Sequence, residues 1–372
     1  MDATAATLDH IVAAAVIGQK VQAAALLVAR EGEVVCQRAY EQPPVARVDR
    51  VYDLASLTKV LATTTSVMLL VDEGALSLET RVADVLPALA ALPSGALRVT
   101  HLLEHSAGLP GWRPYYELVA RREAAGLVAP SRNGAERKAL VRQLVAAEPL
   151  EGNPGEQTVY GDAAFLLLEW IVETLSGERL DAFFARRVVI PLGLSHVFFI
   201  DLDAPGERAM RLERYRFAET ELCPWRDRRL VAEVQDDTAH AVGGIAGHCG
   251  LFASAYDIHI IARELVAAYR GARSIFGRDV VRAFFDHRSA VRYGDSRALG
   301  WQLPHGHDAG AGQAFSPQSV GHNGYTGTSL WIDLAKRLWV VLLTNRLYYG
   351  RENRPMVSIR TQVHDEAHLS LG

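Results

Sequence analysis

The stretch from residue 53 to residue 64, DLASLTKVLATT, sets a serine one helical turn before a lysine, Ser56 and Lys59. From Ser56 to about Leu70 apolar residues dominate with no glycine or proline, which predicts a buried helix. The chain has only four lysines, Lys20, Lys59, Lys138 and Lys336, among 39 lysines and arginines. Residues three apart on a helix share a face. At the first turn they lie among unpaired N–H groups and positive partial charge. A serine hydroxyl there is a poor nucleophile until a nearby base takes its proton. Lysine can do so when burial or a neighbouring cation lowers its pKa, whereas arginine effectively never deprotonates. Chance gives about 0.2 such pairs in a chain of this length, so the pair needs partners to carry meaning. A buried helix start with a snorkelling lysine would read the same.

Outward from this stretch, VQAAALLVAREGEVVCQRAY (residues 21–40) reads as two strands around a Glu-Gly-Glu turn. From about residue 75 to 240 the pattern is mostly helical with Pro/Gly-rich joints. AERKALVRQLVAAE and AAFLLLEWIVETLSG are the clearest helices there, the second stopping at Gly177. Near residue 241 the text becomes glycine-rich (AVGGIAGHCGLFAS) and then helical (AYDIHIIARELVAAY). TSLWIDL and RLWVVLLTN read as a hairpin, and RPMVSIRTQVHDEAHLS as a closing helix. The expected fold is α/β (α+β): an antiparallel sheet flanked by helices and built from both chain ends, residues 1–75 plus 241–372. A mainly helical subdomain, residues 76–240, is inserted between them.

The 372 residues suffice for a large core. The formal net charge is −4, and basic residues alternate with acids, so no nucleic-acid partner is expected. Cys36, Cys223 and Cys249 are odd in number and far apart, which is no disulfide framework. The N-terminus lacks a basic n-region, and no apolar run approaches a membrane span. A cytoplasmic location is expected, or a periplasmic one if an export signal has been removed.

Two remote stretches could meet the serine. In VYGDAAF, Tyr160 and Asp162 stand before a strong apolar helix. Asp162 is a good N-cap, and Tyr160 could be a core tyrosine. Near a lysine, a phenol could instead accept and return a proton. In GHNGYTGTSLWID, His322, Asn323 and Gly324 precede a strand. A strand edge there could lend a backbone N–H, such as that of Tyr325, to an oxyanion, with His322 as a donor or switchable charge.

In this order the three stretches resemble the serine β-lactamase and penicillin-binding-protein superfamily, whose pattern is S-x-x-K, then Y-x-N or S-D-N, then K-T-G or H-x-G. Y-G-D in the middle is similar to the branch of class C β-lactamases, DD-peptidases and family VIII esterases. YDLASLTKVLATT, HLLEHSAGLPGW, GGIAGHCGLFAS and GHNGYTGTSLWIDLAKRLWVVLLTNR all read like that family's segments. The resemblance spans roughly residues 20 to 345. It implies Ser56 as acylated nucleophile, Lys59 and Tyr160 as the general-base pair, and the N–H groups of Ser56 and Tyr325 as oxyanion hole. Asp162, His322, Asn323 and Gly324 would complete the substrate-binding wall. Which of Lys59 and Tyr160 is the base is left open.

Two departures bear on substrate. His322 stands where the family often has lysine, which weakens a fixed positive charge for a β-lactam carboxylate. Asp162 stands where asparagine is frequent, which removes an amide donor. Both point away from efficient β-lactam hydrolysis and toward an ester, amide or D-amino-acid peptide, with β-lactam turnover as a side activity. No cofactor and no metal are expected, and the oligomeric state is not legible. Two rival readings are a catalytically silent binder of peptidoglycan fragments or a partner, and a zinc hydrolase. The latter rests on His101 to His105, HLLEH, which matches H-x-x-E-H. SAGLPG follows at once, however, and should end the helix before a third ligand.

Overall fold

The computed structural model describes residues 3–41, 47–131, 133–204, 206–306, 309–353 and 356–371. Arg354 and Pro355, at the start of the expected closing helix, lie outside the described residues. The fold is mixed α/β around a five-stranded antiparallel sheet. Its strands are β1 (Ala23–Arg30), β2 (Glu33–Glu41), β3 (Val320–Asn323), β4 (Ser329–Asp333) and β5 (Leu338–Thr344), in the order β2-β1-β5-β4-β3. The centre of the sheet joins the two ends of the chain, with Leu27 opposite Val341. Five helices matter for the site: α1 (Ala3–Ile17), α2 (Thr65–Asp72), α3 (Ala163–Ser176), α4 (Ala255–Tyr269) and α5 (Met356–Leu371).

β1 is apolar almost throughout because both faces of the sheet are covered. Ala25, Leu27 and Ala29 pack with Val341 and Trp339 on the side of α4. Ala24, Leu26 and Val28 pack with Val340 and Leu342 against Leu8 and Val12 of α1 and Val363 of α5. The period-two alternation therefore sorts residues between two cores, where a one-sided sheet would sort them between core and solvent.

The middle region is mainly helical, but it also supplies Val197–Phe199 to a second, three-stranded sheet, where it pairs with Leu251–Ala253, itself paired with Tyr52–Asp53. That small sheet places residue 53 at the floor of the site. α3 ends at Gly177, whose φ of 69° is the left-handed stop expected there. No helix among the described residues is long and apolar enough to cross a membrane.

The helix expected from Ser56 differs in one respect: after α-helical Leu57 and Thr58, Lys59–Thr64 is a π-helix that returns to α at α2. Threonine hydroxyls compete for backbone carbonyls here. Thr65 Oγ1 donates to Leu61 O at 2.6 Å, and Thr63 Oγ1 donates to Gly247 O at 2.6 Å. Such insertions widen a helical turn.

Candidate active site

Ser56 follows Ala55, whose φ of 46° is left-handed and unusual for a residue with a side chain. The strained turn is held from below: Asp53 Oδ1 accepts the Ala55 N–H at 2.8 Å and Asp53 Oδ2 accepts the Gln235 N–H at 2.7 Å. Ser56 is thereby set on the first turn of the helical segment. The Lys59 side chain is completely buried beneath it. Its Nζ donates to Ser56 Oγ at 3.1 Å, Asp162 Oδ1 at 2.8 Å and His248 O at 3.3 Å. Three acceptors match the three N–H bonds of an ammonium, one more than a neutral amine offers. Burial by itself would lower the Lys59 pKa, but the Asp162 carboxylate, with Tyr160, holds it above the ordinary lysine range.

The Gly324–Thr328 turn between β3 and β4 is stapled to the same floor. Thr326 Oγ1 donates to Asp53 O at 2.7 Å and Thr328 Oγ1 to Leu54 O at 3.0 Å. A Cβ on Gly324 would stand 2.1 Å from Thr328 Oγ1 and 2.4 Å from Leu54 O, so only glycine permits this approach. From α5, Arg360 Nη2 donates to Gly324 O at 2.7 Å and Thr328 O at 3.1 Å. In a trans peptide the N–H of Tyr325 points opposite to that braced carbonyl. Among the described residues neither the Tyr325 N–H nor the Ser56 N–H has a hydrogen-bond partner. Two free donors on two stapled turns can stabilise charge on a carbonyl oxygen between them.

Tyr160 is 40% exposed, and Lys59 Nζ lies 5.1 Å from its ring centroid. Its glycine neighbour is a close-packing residue, since a Cβ on Gly161 would meet Gly111 O at 2.7 Å. Asp162 occupies the N-cap position of α3 but makes no cap hydrogen bond with its side chain. Its carboxylate goes to Lys59 instead, because the buried ammonium offers a stronger, charge-assisted bond. His322 is also buried, its ring 5.7 Å from that of Tyr160. Nδ1 donates to Asn323 O at 2.8 Å, which leaves Nε2 as an unpartnered acceptor. Burial, then the Arg297 and Lys59 cations, drive the His322 pKa well below the histidine range. This histidine is neutral and supplies neither a fixed nor a switchable charge. The Asn323 side chain is spent on structure: Nδ2 donates to Ala309 O at 2.5 Å and Oδ1 accepts from Trp331 Nε1 at 3.2 Å.

These groups border one cavity of about 930 Å³, lined by Ser56, Tyr160, His322, Asn323, Gly324 and Tyr325 among others. Sequence reasoning missed three residues around it. Arg297 lines the cavity, its guanidinium carbon 5.3 Å from the Tyr160 centroid, and burial pulls its pKa down to about 10. No spacing signal marks it. Arg360 is equally silent in the sequence. His105 is buried, 4.6 Å from the Tyr160 ring, and its Nδ1 accepts the Gly161 N–H at 3.2 Å.

The last contact also decides HLLEH. The helix is only Val99–Leu103, and His105 has a left-handed φ of 57°. The Glu104 carboxylate is taken by Ser106 and His287. The segment braces the tyrosine and does not assemble a ligand set. The one three-residue grouping of metal-ligand types among the described residues is Asp236, His248 and Cys249, with ligand atoms within 4.8 Å of one another. His248 Nε2 already pairs with Asp236 Oδ1 at 2.9 Å, and that oxygen also accepts the Ala239 N–H at 2.7 Å.

Comparison with known proteins gives one consistent picture. The family model described as Beta-lactamase matches residues 8–361. An Escherichia coli K12 protein, provisionally named as a D-alanyl-D-alanine carboxypeptidase, is 29% identical over 355 residues, covering 86% of this chain and 77% of that protein. Among solved structures, a penicillin-binding-protein homologue from Caulobacter crescentus superposes with a TM-score of 0.71 at 19% identity, covering 100% of this chain and 98% of its own. EstCE1, a hydrolase with promiscuous acyltransferase activity, gives a TM-score of 0.70 at 19% identity over 97% and 98% of the two chains. At these identities the two structures speak for the fold alone.

Proposed function

Since the chain belongs to the β-lactamase family, we propose that it is a serine hydrolase that forms an acyl-enzyme at Ser56 on an ester or amide carbonyl. The observation that carries this reading is the 3.1 Å hydrogen bond from the buried Lys59 ammonium to Ser56 Oγ at the cavity wall. The relatives' names, a D-alanyl-D-alanine carboxypeptidase and a hydrolase with acyltransferase activity, share acyl transfer as their chemistry.

An ammonium whose three N–H bonds are all engaged donates to Ser56 and cannot receive its proton. Tyr160, open to the cavity, is then the base. It takes the Ser56 proton in its phenolate form, with Lys59 and Arg297 offsetting the negative charge. Ser56 Oγ attacks the carbonyl carbon, and the oxyanion rests on the Ser56 and Tyr325 N–H groups. Tyr160 passes its proton to the departing alcohol or amine. Water then cleaves the acyl-enzyme by the same steps in turn, its proton going to Tyr160 and on to Ser56 Oγ.

Ser56→Ala is expected to lower p-nitrophenyl acetate hydrolysis by about 10³-fold or more and to abolish labelling by a fluorophosphonate. The thermal transition should move little, because Ser56 is not in the core. Undiminished turnover in this variant would overturn the assignment. Folded wild-type protein that never takes up the label would favour the silent binder.

A further inference from the structure

Two arginines hold successive carbonyls beside residue 325. Arg360, on α5, donates Nη2 to Gly324 O at 2.7 Å and to Thr328 O at 3.1 Å. Arg346, two residues past β5, donates Nε to Tyr325 O at 2.7 Å. Other contacts of the turn are neutral: Thr344 Oγ1 donates to Gly327 O at 3.0 Å, and Thr326 and Thr328 staple the turn to Asp53 O and Leu54 O. A hydroxyl therefore suffices to fix a carbonyl here. Arg360 is nevertheless only 8% exposed and, among the described residues, has no carboxylate within ion-pair distance. Burial, then the Arg346 cation, lower its pKa to about 9, which leaves it charged at neutral pH. Burying a cation against neutral carbonyls carries a desolvation cost that a hydroxyl brace would avoid. Retaining it makes sense if the charge itself acts on something.

The 324–325 peptide is what it can act on. The carbonyl and N–H of a peptide belong to one conjugated unit. A cation on the oxygen draws electron density from the nitrogen and makes the N–H a stronger donor. Here that N–H is the one of Tyr325. We propose that Arg360 is a positioning residue whose charge, beyond its two hydrogen bonds, sets the strength of the Tyr325 N–H as an oxyanion donor. The other donor lacks this backing: the carbonyl of its peptide, Ala55 O, accepts a neutral backbone N–H, that of Thr58, at 3.0 Å. The benefit falls on the transition state, because a developing oxyanion draws far more on a polarised N–H than a neutral ester carbonyl does.

The inference rests on the hydrolase reading, and the test separates the two. Hydrolysis of p-nitrophenyl acetate, a neutral ester, would be compared in the wild type, Arg360→Lys, Arg360→Gln and Arg360→Met. Active sites would be counted by labelling Ser56 to completion with a fluorophosphonate, so that any unfolded fraction drops out. Acylation and deacylation both pass through an oxyanion, so a loss appears whichever step limits. Arg360→Gln keeps an N–H donor without the charge. It should lower kcat per labelled site about tenfold, with KM within about twofold of the wild type. Arg360→Met should be at least as slow, and Arg360→Lys should return to within about threefold of the wild type. Phenylboronic acid becomes a tetrahedral anion when Ser56 Oγ adds to boron and the hydroxyl proton leaves. Its inhibition constant should rise in step with the loss of kcat. A merely structural arginine would give Arg360→Lys no better than Arg360→Gln, or a rise in KM that accounts for the loss. Either pattern, wild-type kcat in Arg360→Gln, or a boronate constant unmoved while kcat falls would overturn the proposal and leave the hydrolase standing. Wild-type protein that neither turns over the ester nor takes up the label would sink the hydrolase reading, and this inference with it.

Discussion

Two of the four lysines are buried, and they are used in opposite ways. Lys138 sits between α3 and the helix Gly134–Ala146, where it meets Glu169 and lies 3.0 Å from Glu173. Arg142 joins them, 2.5 Å from Glu173, so two cations face two carboxylates. That cluster is balanced and closed, and none of its four residues lines the cavity. Lys59 shares its surroundings with Arg297 and, among the described residues, has one carboxylate at ion-pair distance, Asp162, and its remaining donors go to a nucleophile and a carbonyl. Balanced charge marks a group that holds structure together. Unbalanced charge beside a cavity marks one that waits for a reactant.

Substituting both lysines by methionine should pull the two roles apart. Lys59→Met is expected to lower ester turnover by about 10³-fold or more, since it removes the cation that orients Ser56 and offsets the phenolate. Its cost in stability should be at most about 1 kcal/mol, because the Asp162 side chain is 27% exposed and can hydrate once released. Lys138→Met should do the reverse. It takes from Glu169, whose side chain is fully buried, the nearer of its two cations, leaving Arg142 at 3.8 Å, and should cost about 3 kcal/mol in urea unfolding while the activity of the folded fraction persists. Similar losses of stability in the two variants would dissolve the distinction.

The acid limb sharpens it. Burial raises the Glu173 pKa, but Lys138 and Arg142 outweigh burial and hold it at about 2, below its unfolded value. The stability from this pairing is therefore present above about pH 4.3 and lost as pH falls toward 2. Urea midpoints measured from pH 7 downward should show the wild-type advantage over Lys138→Met narrowing below about pH 4.3. A constant gap would mean that the cluster does not act through Glu173. The smallest effect is expected from Asp162→Asn. Without the carboxylate that holds its proton, Lys59 should titrate lower, shifting the alkaline limb of kcat/KM to lower pH. An unchanged profile would show that Asp162 does not control the ammonium.

Much of the site was legible because its spacing is local. Ser56 and Lys59 are one turn apart on one face, and that relation needs no tertiary knowledge. Tyr160, Asp162 and the 322–325 run were readable as positions but not as states. Asp162 has the residue type of a cap, and only the buried ammonium across from it diverts its carboxylate. His322 reads as a possible charge until burial and two neighbouring cations make it neutral. The fold was legible in its hairpins and in α3, while the π-helical Lys59–Thr64 was not, because it depends on threonine hydroxyls reaching carbonyls up to Gly247. Arg297 and Arg360 were invisible. Each is one arginine among many, and its meaning is fixed by what it does or does not touch.

The bracing of the Gly324 carbonyl by Arg360 has a consequence for biosynthesis. The serine and lysine leave the ribosome early, whereas β5 and α5, which complete the central sheet and the second turn, emerge much later. At about 5–20 residues per second, the nascent chain spends about 15–60 seconds carrying a nucleophile with no assembled oxyanion pocket. Prematurely terminated chains lacking α5 would be inert even where their own helices had formed, and catalytic competence would arrive only once α5 has been made.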